Sequence, residues 1–267
     1  MKRQMSWQVW AVVICLASSF AWAADRKPNI RITGKSSMDP SAESMELFSA
    51  MEAGKVGVRL IAMNSKQATV LIENKTKQSI NVRLPEAFVG VLAQGGDPFG
   101  GGGQQGGGQN QQQGFGGQQG GGGGAAFNIP AERVGEVRVA GVCLEHGKDE
   151  PRPSVKYELK PVEAFSKDPA LYHMLKLFGE KKINQRVAQA AAWHISSKMS
   201  WDQLAAKQLK RLGQGPQPYF SRQELRAAMQ LVEAAKTEAA KSEAAKAEAQ
   251  KGSQPKTTSP GQTLSAR

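Results

Sequence analysis

Apolar residues alternate with polar or small ones through three neighbouring stretches: Val56, Val58, Leu60 and Ala62, then Ala68, Val70 and Ile72, then Ile80, Val82 and Leu84. A two-residue period marks a half-buried strand. The turn-forming runs Asn64-Ser65-Lys66 and Glu73-Asn74-Lys75-Thr76 separate these stretches. Connections so short join antiparallel neighbours, because a parallel crossover needs about a dozen residues or more. A fourth strand is expected over Phe88–Ala93, and the pattern resumes over Val134–Leu144 and Val155–Val162. Some six strands predict an antiparallel immunoglobulin-like β-sandwich over residues 56–165, with a small barrel as the alternative. The polar segment 24–55 ahead of it carries one short predicted helix from Pro40 to Ala53, capped by Asp39, with Leu47, Phe48 and Met51 on one face.

Beyond Phe165 the period lengthens to three or four residues, so the fold class expected is α+β. Asp168-Pro169 opens a helix with Leu171, Leu175 and Phe178 on one side. A second is expected from about Asn184 to Ser197, carrying Val187, Ala190, Ala191 and His194. The third starts at Ser200, where Gln203 completes a capping box, and buries Trp201, Leu204 and Leu209. These make a three-helix segment over residues 168–212. Ser221 and Glu224 form another capping box and open a charged Ala/Lys/Glu helix over 221–250, which has almost no large apolar residue after Val232. Good helix formers with Glu and Lys at short spacings favour a semi-rigid solvated spacer or stalk. Residues 251–267 read as a disordered tail.

Between Gln94 and Gly124 the chain is almost wholly Gly and Gln. Such a segment has the most backbone entropy to lose and little apolar surface to bury, so a disordered loop between two strands is expected. Phe99 and Phe115 within it are candidate stickers for weak self-association, against a plain linker role.

Composition adds an address. Lys2 and Arg3, an apolar run from Trp7 to Phe20 and the small-x-small site Ala21-Trp22-Ala23 read as a secretory signal peptide over residues 1–23. No transmembrane segment is expected in the mature chain. The chain has two cysteines, and Cys15 departs with the signal, so Cys143 has no intramolecular disulfide partner. The formal net charge is +12, or two less without Lys2 and Arg3. An excess of this sign favours anionic partners, and a protein or an anionic envelope surface is the partner expected. Nucleic acid is not expected, because the positive charge is spread over many segments and aromatics are 6% of residues, too few for a base-stacking platform.

Two stretches carry candidate chemistry: Val142-Cys143-Leu144-Glu145-His146-Gly147-Lys148 and Ala188-Gln189-Ala190-Ala191-Ala192-Trp193-His194. Together they resemble the thioester domains of bacterial surface adhesins, where a strand Cys is joined to a helix Gln lying four residues before a Trp. The resemblance implies that Cys143 supplies the sulfur, Gln189 the acyl group and Trp193 a wall of the pocket. His146 would accept the thiol proton. A thioester survives only in a shielded apolar site, and a Trp one turn from the Gln lies on the same helical face. In this chain Ala188 stands where that family commonly has Thr. The competing expectation is structural: Cys143 as a buried strand residue, Gln189 as an ordinary helix side chain and Trp193 as core.

A Cys-His₃ metal shell from Cys143, His146, His173 and His194 is the remaining arrangement, but these residues lack the paired spacing of zinc sites, and no metal or cofactor is expected. The stretch from the Asn-Lys-Thr turn to Met199-Ser200-Trp201 also resembles a group of uncharacterised exported bacterial proteins. The function expected is that of a non-enzymatic envelope or secreted interaction or structural protein. A covalent thioester adhesin and a Cys/His metal-binding protein are the alternatives.

Overall fold

The computed structural model describes residues 29–31, 38–93, 110–117, 126–180, 183–209 and 215–252. The expected signal peptide, most of the expected Gly/Gln loop and nearly all of the expected C-terminal tail lie outside the described residues. The elements in chain order are β1 (Asn29–Arg31), β2 (Glu43–Glu46), α1 (Leu47–Glu52), β3 (Val56–Asn64), β4 (Gln67–Asn74), β5 (Ile80–Arg83), β6 (Ala87–Leu92) and β7 (Gln113–Gly116). They continue with β8 (Ala126–Ile129), β9 (Val134–Cys143), β10 (Tyr157–Lys160), a 3₁₀ turn (Val162–Ala164), α2 (Pro169–Glu180), α3 (Gln185–Ser196), α4 (Trp201–Ala206), β11 (Gln208–Leu209), β12 (Gln217–Pro218) and α5 (Arg222–Gly252).

The alternating strands close on themselves. The order β9-β4-β3-β10-β6-β7 is completed by pairing of β7 back onto β9, all antiparallel, which makes a six-stranded barrel with β1 added parallel to the start of β9. The expected immunoglobulin-like sandwich is therefore wrong. Two features decide for closure over two facing sheets. β9 is ten residues long, so its first part pairs with β4 and its end with β7. The strand that joins β6 to β9 comes from inside the Gly/Gln segment, where no strand was expected.

Inward-facing residues follow the two-residue period: Leu60 and Ala62, Ala68, Val70 and Ile72, Phe88, Phe115, Val139, Tyr157 and Leu159 form one buried cluster. Phe115 is fully buried and stacks on Phe88 with centroids 5.2 Å apart, so it belongs to the core and is not a free sticker. Each such buried Phe contributes about 1.5–3 kcal/mol. Space for it comes from Gly141, whose added Cβ would lie 2.6 Å from the Phe115 ring.

A second sheet, in the order β2-β5-β8, extends this core with Ile80, Val82, Phe127 and Ile129, and α1 packs beside it through Leu47 and Ala50. The helix expected from Pro40 to Ala53 is shorter than that. Residues 40–42 form a turn, Glu43–Glu46 pair as β2 with β5, and Glu46 caps α1 by accepting from Phe48 N and Ser49 N.

Outward residues of one barrel wall, Ala87, Val89, Val142 and Leu144, meet the helices in a second core with Leu171, Met174, Leu175, Ala188, Ala191 and Val232. The glycines of β7 set the distance of closest approach. A Cβ on Gly116 would lie 2.4 Å from Gly179 Cα and 2.5 Å from the Leu175 carbonyl oxygen, both backbone atoms of α2. Glycine is required there because helix and strand backbones nearly touch. Helix α5 docks by Leu225, Ala228, Leu231, Val232, Ala235 and Ala239 and then runs on with its side chains largely exposed. Among the described residues no helix is long and apolar enough to cross a membrane.

Candidate functional site

The two motifs singled out in the sequence come together where the end of β9 meets α3. Helix α3 opens with Asn184, whose side chain accepts from Arg186 N, and its Ala188, Ala190, Ala191 and Ala192 are all fully buried. Small residues bring the helix axis close to the barrel wall, so polar side chains of α3 reach the backbone of β9. Strand β4 covers one edge of β9 only as far as Ala140, opposite Gln67, with Gly141 N donating to Lys66 O beyond it. Farther on, the edge would carry buried peptide groups with no strand beside them, at a cost comparable to lost hydrogen bonds.

Gln189 takes the place of the missing strand. Its Oε1 accepts from Cys143 N at 2.9 Å and its Nε2 donates to Cys143 O at 2.8 Å, so one side-chain amide mimics a cross-strand peptide. Gln185 Nε2 donates to Gly141 O at 3.4 Å, Ser196 Oγ donates to Leu144 O, and the Ser197 hydroxyl accepts from His146 N at 3.0 Å. Gln189 itself is only 4% exposed, so both of its bonds are shielded from water.

The Cys143 thiol faces the other way from its peptide edge, into the barrel, in register with Gln113. Its Sγ lies 3.9 Å from Ser65 O, and Gln113 Nε2 donates to the adjacent Asn64 O at 2.7 Å. Burial, and secondarily the charge of Glu150, pushes the thiol up to about 12. At neutral pH it is therefore protonated, whereas the thiolate is the nucleophile. The oxygens Gln111 Oε1 and Gln113 Oε1 are buried without hydrogen-bond partners among the described residues.

Trp193, one turn after Gln189, is the centre of a cluster built by three separate segments. His146 from the β9–β10 connection meets it edge-on at 4.9 Å, and Tyr219 and Phe220 from the end of β12 lie 5.6 and 5.9 Å away. Lys207 Nζ sits between the rings of Trp193 and Tyr219, 5.2 and 5.1 Å from their centroids, and 2.8 Å from His146 Nε2. Arg186 lies over Tyr219 and Phe220 and pairs with Glu224 at 2.7 Å. Desolvation first, and the neighbouring Lys207 charge second, hold His146 below the ordinary imidazole value of 6.5. Trp193 Nε1 is buried with no acceptor among the described residues.

The remaining histidines are elsewhere. His194 stacks on Trp201 at 4.1 Å with its Nδ1 donating to Met199 O, and lines a cavity of ≈ 260 Å³ with Asp168, Lys198 and Lys236. His173 contacts Tyr172 edge-on, on α2. Among the described residues no three His, Cys, Asp or Glu gather as a metal shell. The structure thus unites Cys143 with Gln189, and His146 with Trp193, and leaves His173 and His194 apart.

Sequence reading missed Gln113, Lys207 and Tyr219. Gln113 was hidden in a tract of identical residues, and only the Phe two positions on marked an inward-facing pair. Nothing in the spacing of Lys207 or Tyr219 foretold that they would flank one tryptophan. The chain matches no protein-family model, no curated protein and no solved structure.

Proposed function

We propose that the chain, exported and freed of residues 1–23, is a non-enzymatic interaction protein of the cell envelope, in which the barrel and its helices form the binding body and α5 the spacer. One observation carries this reading. Helix α5 is anchored only as far as Ala239 and then continues as an exposed Ala/Lys/Glu rod, as suits a body held away from its point of attachment. The polar side chains of α3 that reach the candidate site are engaged with the backbone of β9 and so serve the fold. The positive formal net charge, +12 for the full sequence and two less without Lys2 and Arg3, favours an anionic envelope surface as the partner. Co-sedimentation of the mature chain with envelope fragments and with anionic vesicles tests this: retention that weakens as salt rises is expected. A chain that stays in the supernatant with both at low ionic strength would refute it.

A second reading, covalent attachment through a Cys143–Gln189 thioester, draws on the resemblance to adhesin thioester domains. The Gln189 carboxamide is seated directly on the Cys143 peptide with Trp193 one turn away, and the thiol, which faces into the barrel, would have to turn from there to reach it. In forming the bond the thiol sulfur would attack the carboxamide carbon, and the thiol proton would leave with the amide nitrogen as ammonia. Intact mass of protein taken from its native compartment decides: loss of one ammonia that vanishes in Cys143→Ala supports it. A full mass with a thiol that titrates on unfolding ends it.

A further inference from the structure

We propose that Lys207 and His146 form an acid-released latch over Trp193. The inference is independent of either functional reading, since it uses only the geometry of this cluster. Lysine Nζ donates and carries no acceptor, so the 2.8 Å contact requires the His146 Nε2 lone pair and hence a neutral ring. Protonating that nitrogen removes the acceptor and sets two cations against each other in a partly desolvated place. Among the described residues no carboxylate forms an ion pair with either of them. His146 is faced by the Trp193 ring from α3, by Lys207 from the end of α4 and by the Ser197 hydroxyl, which binds its peptide N–H. The charged neighbours in its own loop, Glu145 and Lys148, are paired with each other at 2.6 Å. The Lys207 side chain therefore yields, because among the described residues its ammonium is held otherwise by the faces of Trp193 and Tyr219.

The consequence reaches three elements. Lys207 precedes β11, and its carbonyl accepts from Tyr219 N at 2.7 Å, so the paired strands β11 and β12 move with it. The β9–β10 connection, three residues after Cys143, loses its contact with Lys207. Trp193, 5% exposed while latched, becomes open to solvent from the side where Lys207 lay.

The test is a pH titration of the full chain from 8 to 5 by ¹H–¹⁵N correlation, following the Trp193 indole resonance, identified by its loss in Trp193→Phe. Its shift is expected to have a midpoint below 6.5, the ordinary imidazole value. His146→Gln, which offers a neutral acceptor at every pH, should abolish the transition, and Lys207→Met should move the His146 midpoint upward. An indole resonance that does not move over this range, a transition that persists in His146→Gln, or a midpoint unmoved or lowered in Lys207→Met would each overturn the latch.

Discussion

Adding one methyl group at Gly116 measures how tightly helix α2 is seated on the barrel. In Gly116→Ala the new Cβ would stand 2.4 Å from both Gly179 N and Gly179 Cα, and 2.5 Å from the Leu175 carbonyl oxygen. All three are backbone atoms, so no side-chain rotation relieves the clash. Ordinary contact begins at 3.4 Å, so α2 must retreat by about 1 Å. A gap of ~0.5–1 Å forfeits a quarter to a half of each dispersion contact it opens. Leu171, Met174, Leu175 and Phe178, all buried on that helix, would share the loss. Overpacking costs about 1–3 kcal/mol, and rigid neighbours place this case near the top of that range. For a chain of this size, ~3 kcal/mol corresponds to a fall in Tm of roughly 6–12 °C. Urea unfolding followed by far-UV circular dichroism, with Tm measured in parallel, reads the effect. Gly215→Ala is the control, since nothing lies within 4 Å of its added Cβ, and it should stay within about 0.5 kcal/mol of the parent. A Gly116→Ala protein as stable as that control would refute the close helix–strand seating.

Three other outcomes are expected. Phe115→Ala should cost about 3–5 kcal/mol, as for any buried aromatic, and an unchanged urea midpoint would return Gln113–Gly116 to the status of a loop. Gln189→Leu leaves Cys143 N–H and C=O without partners and should cost about 2–5 kcal/mol, whereas Cys143→Ala keeps both bonds and should cost less than about 2 kcal/mol; the reverse order in chemical unfolding would contradict the strand-mimic role. Burial holds both His146 and His173 below 6.5, so the unfolded chain takes up protons first as pH falls. Their contribution to stability is complete above about 6.5 and is lost as pH drops through it toward the lowered folded values. Urea midpoints at pH 8, 7, 6 and 5 should decline over that window, and less so in a His146→Gln, His173→Gln double variant.

What the sequence revealed and what it hid follow from how each element is held. Strands β3, β4 and β5 betray themselves because one face of each is buried, which writes alternation into the chain. The capping boxes at Ser200 and Ser221 were readable because both partners lie within four residues of each other, and each forms both of its reciprocal bonds. Closure of the barrel was not readable. It depends on β7, whose glycines act by the space they leave, and absence of a side chain carries no periodic signal. Sheet β2 escaped for a similar reason: Glu43–Glu46 is polar, and its placement is set by pairing with β5, some forty residues away. Cys143 and Gln189 could be chosen from their motifs, but not the direction of the sulfur, which the register with Gln113 decides.

The four-residue strand inside a Gly/Gln-rich tract has a genetic corollary. Tracts of repeated codons gain and lose units when polymerases slip. Gln113–Gly116 tolerates no such change, for its inward phenylalanine and outward glycines have fixed places between β6 and β9. A slip within those few codons would turn Phe115 toward α2 and set a side-chain-bearing residue against Gly179. The reading order of these four residues is thus dictated by the shape of the cavity they fill.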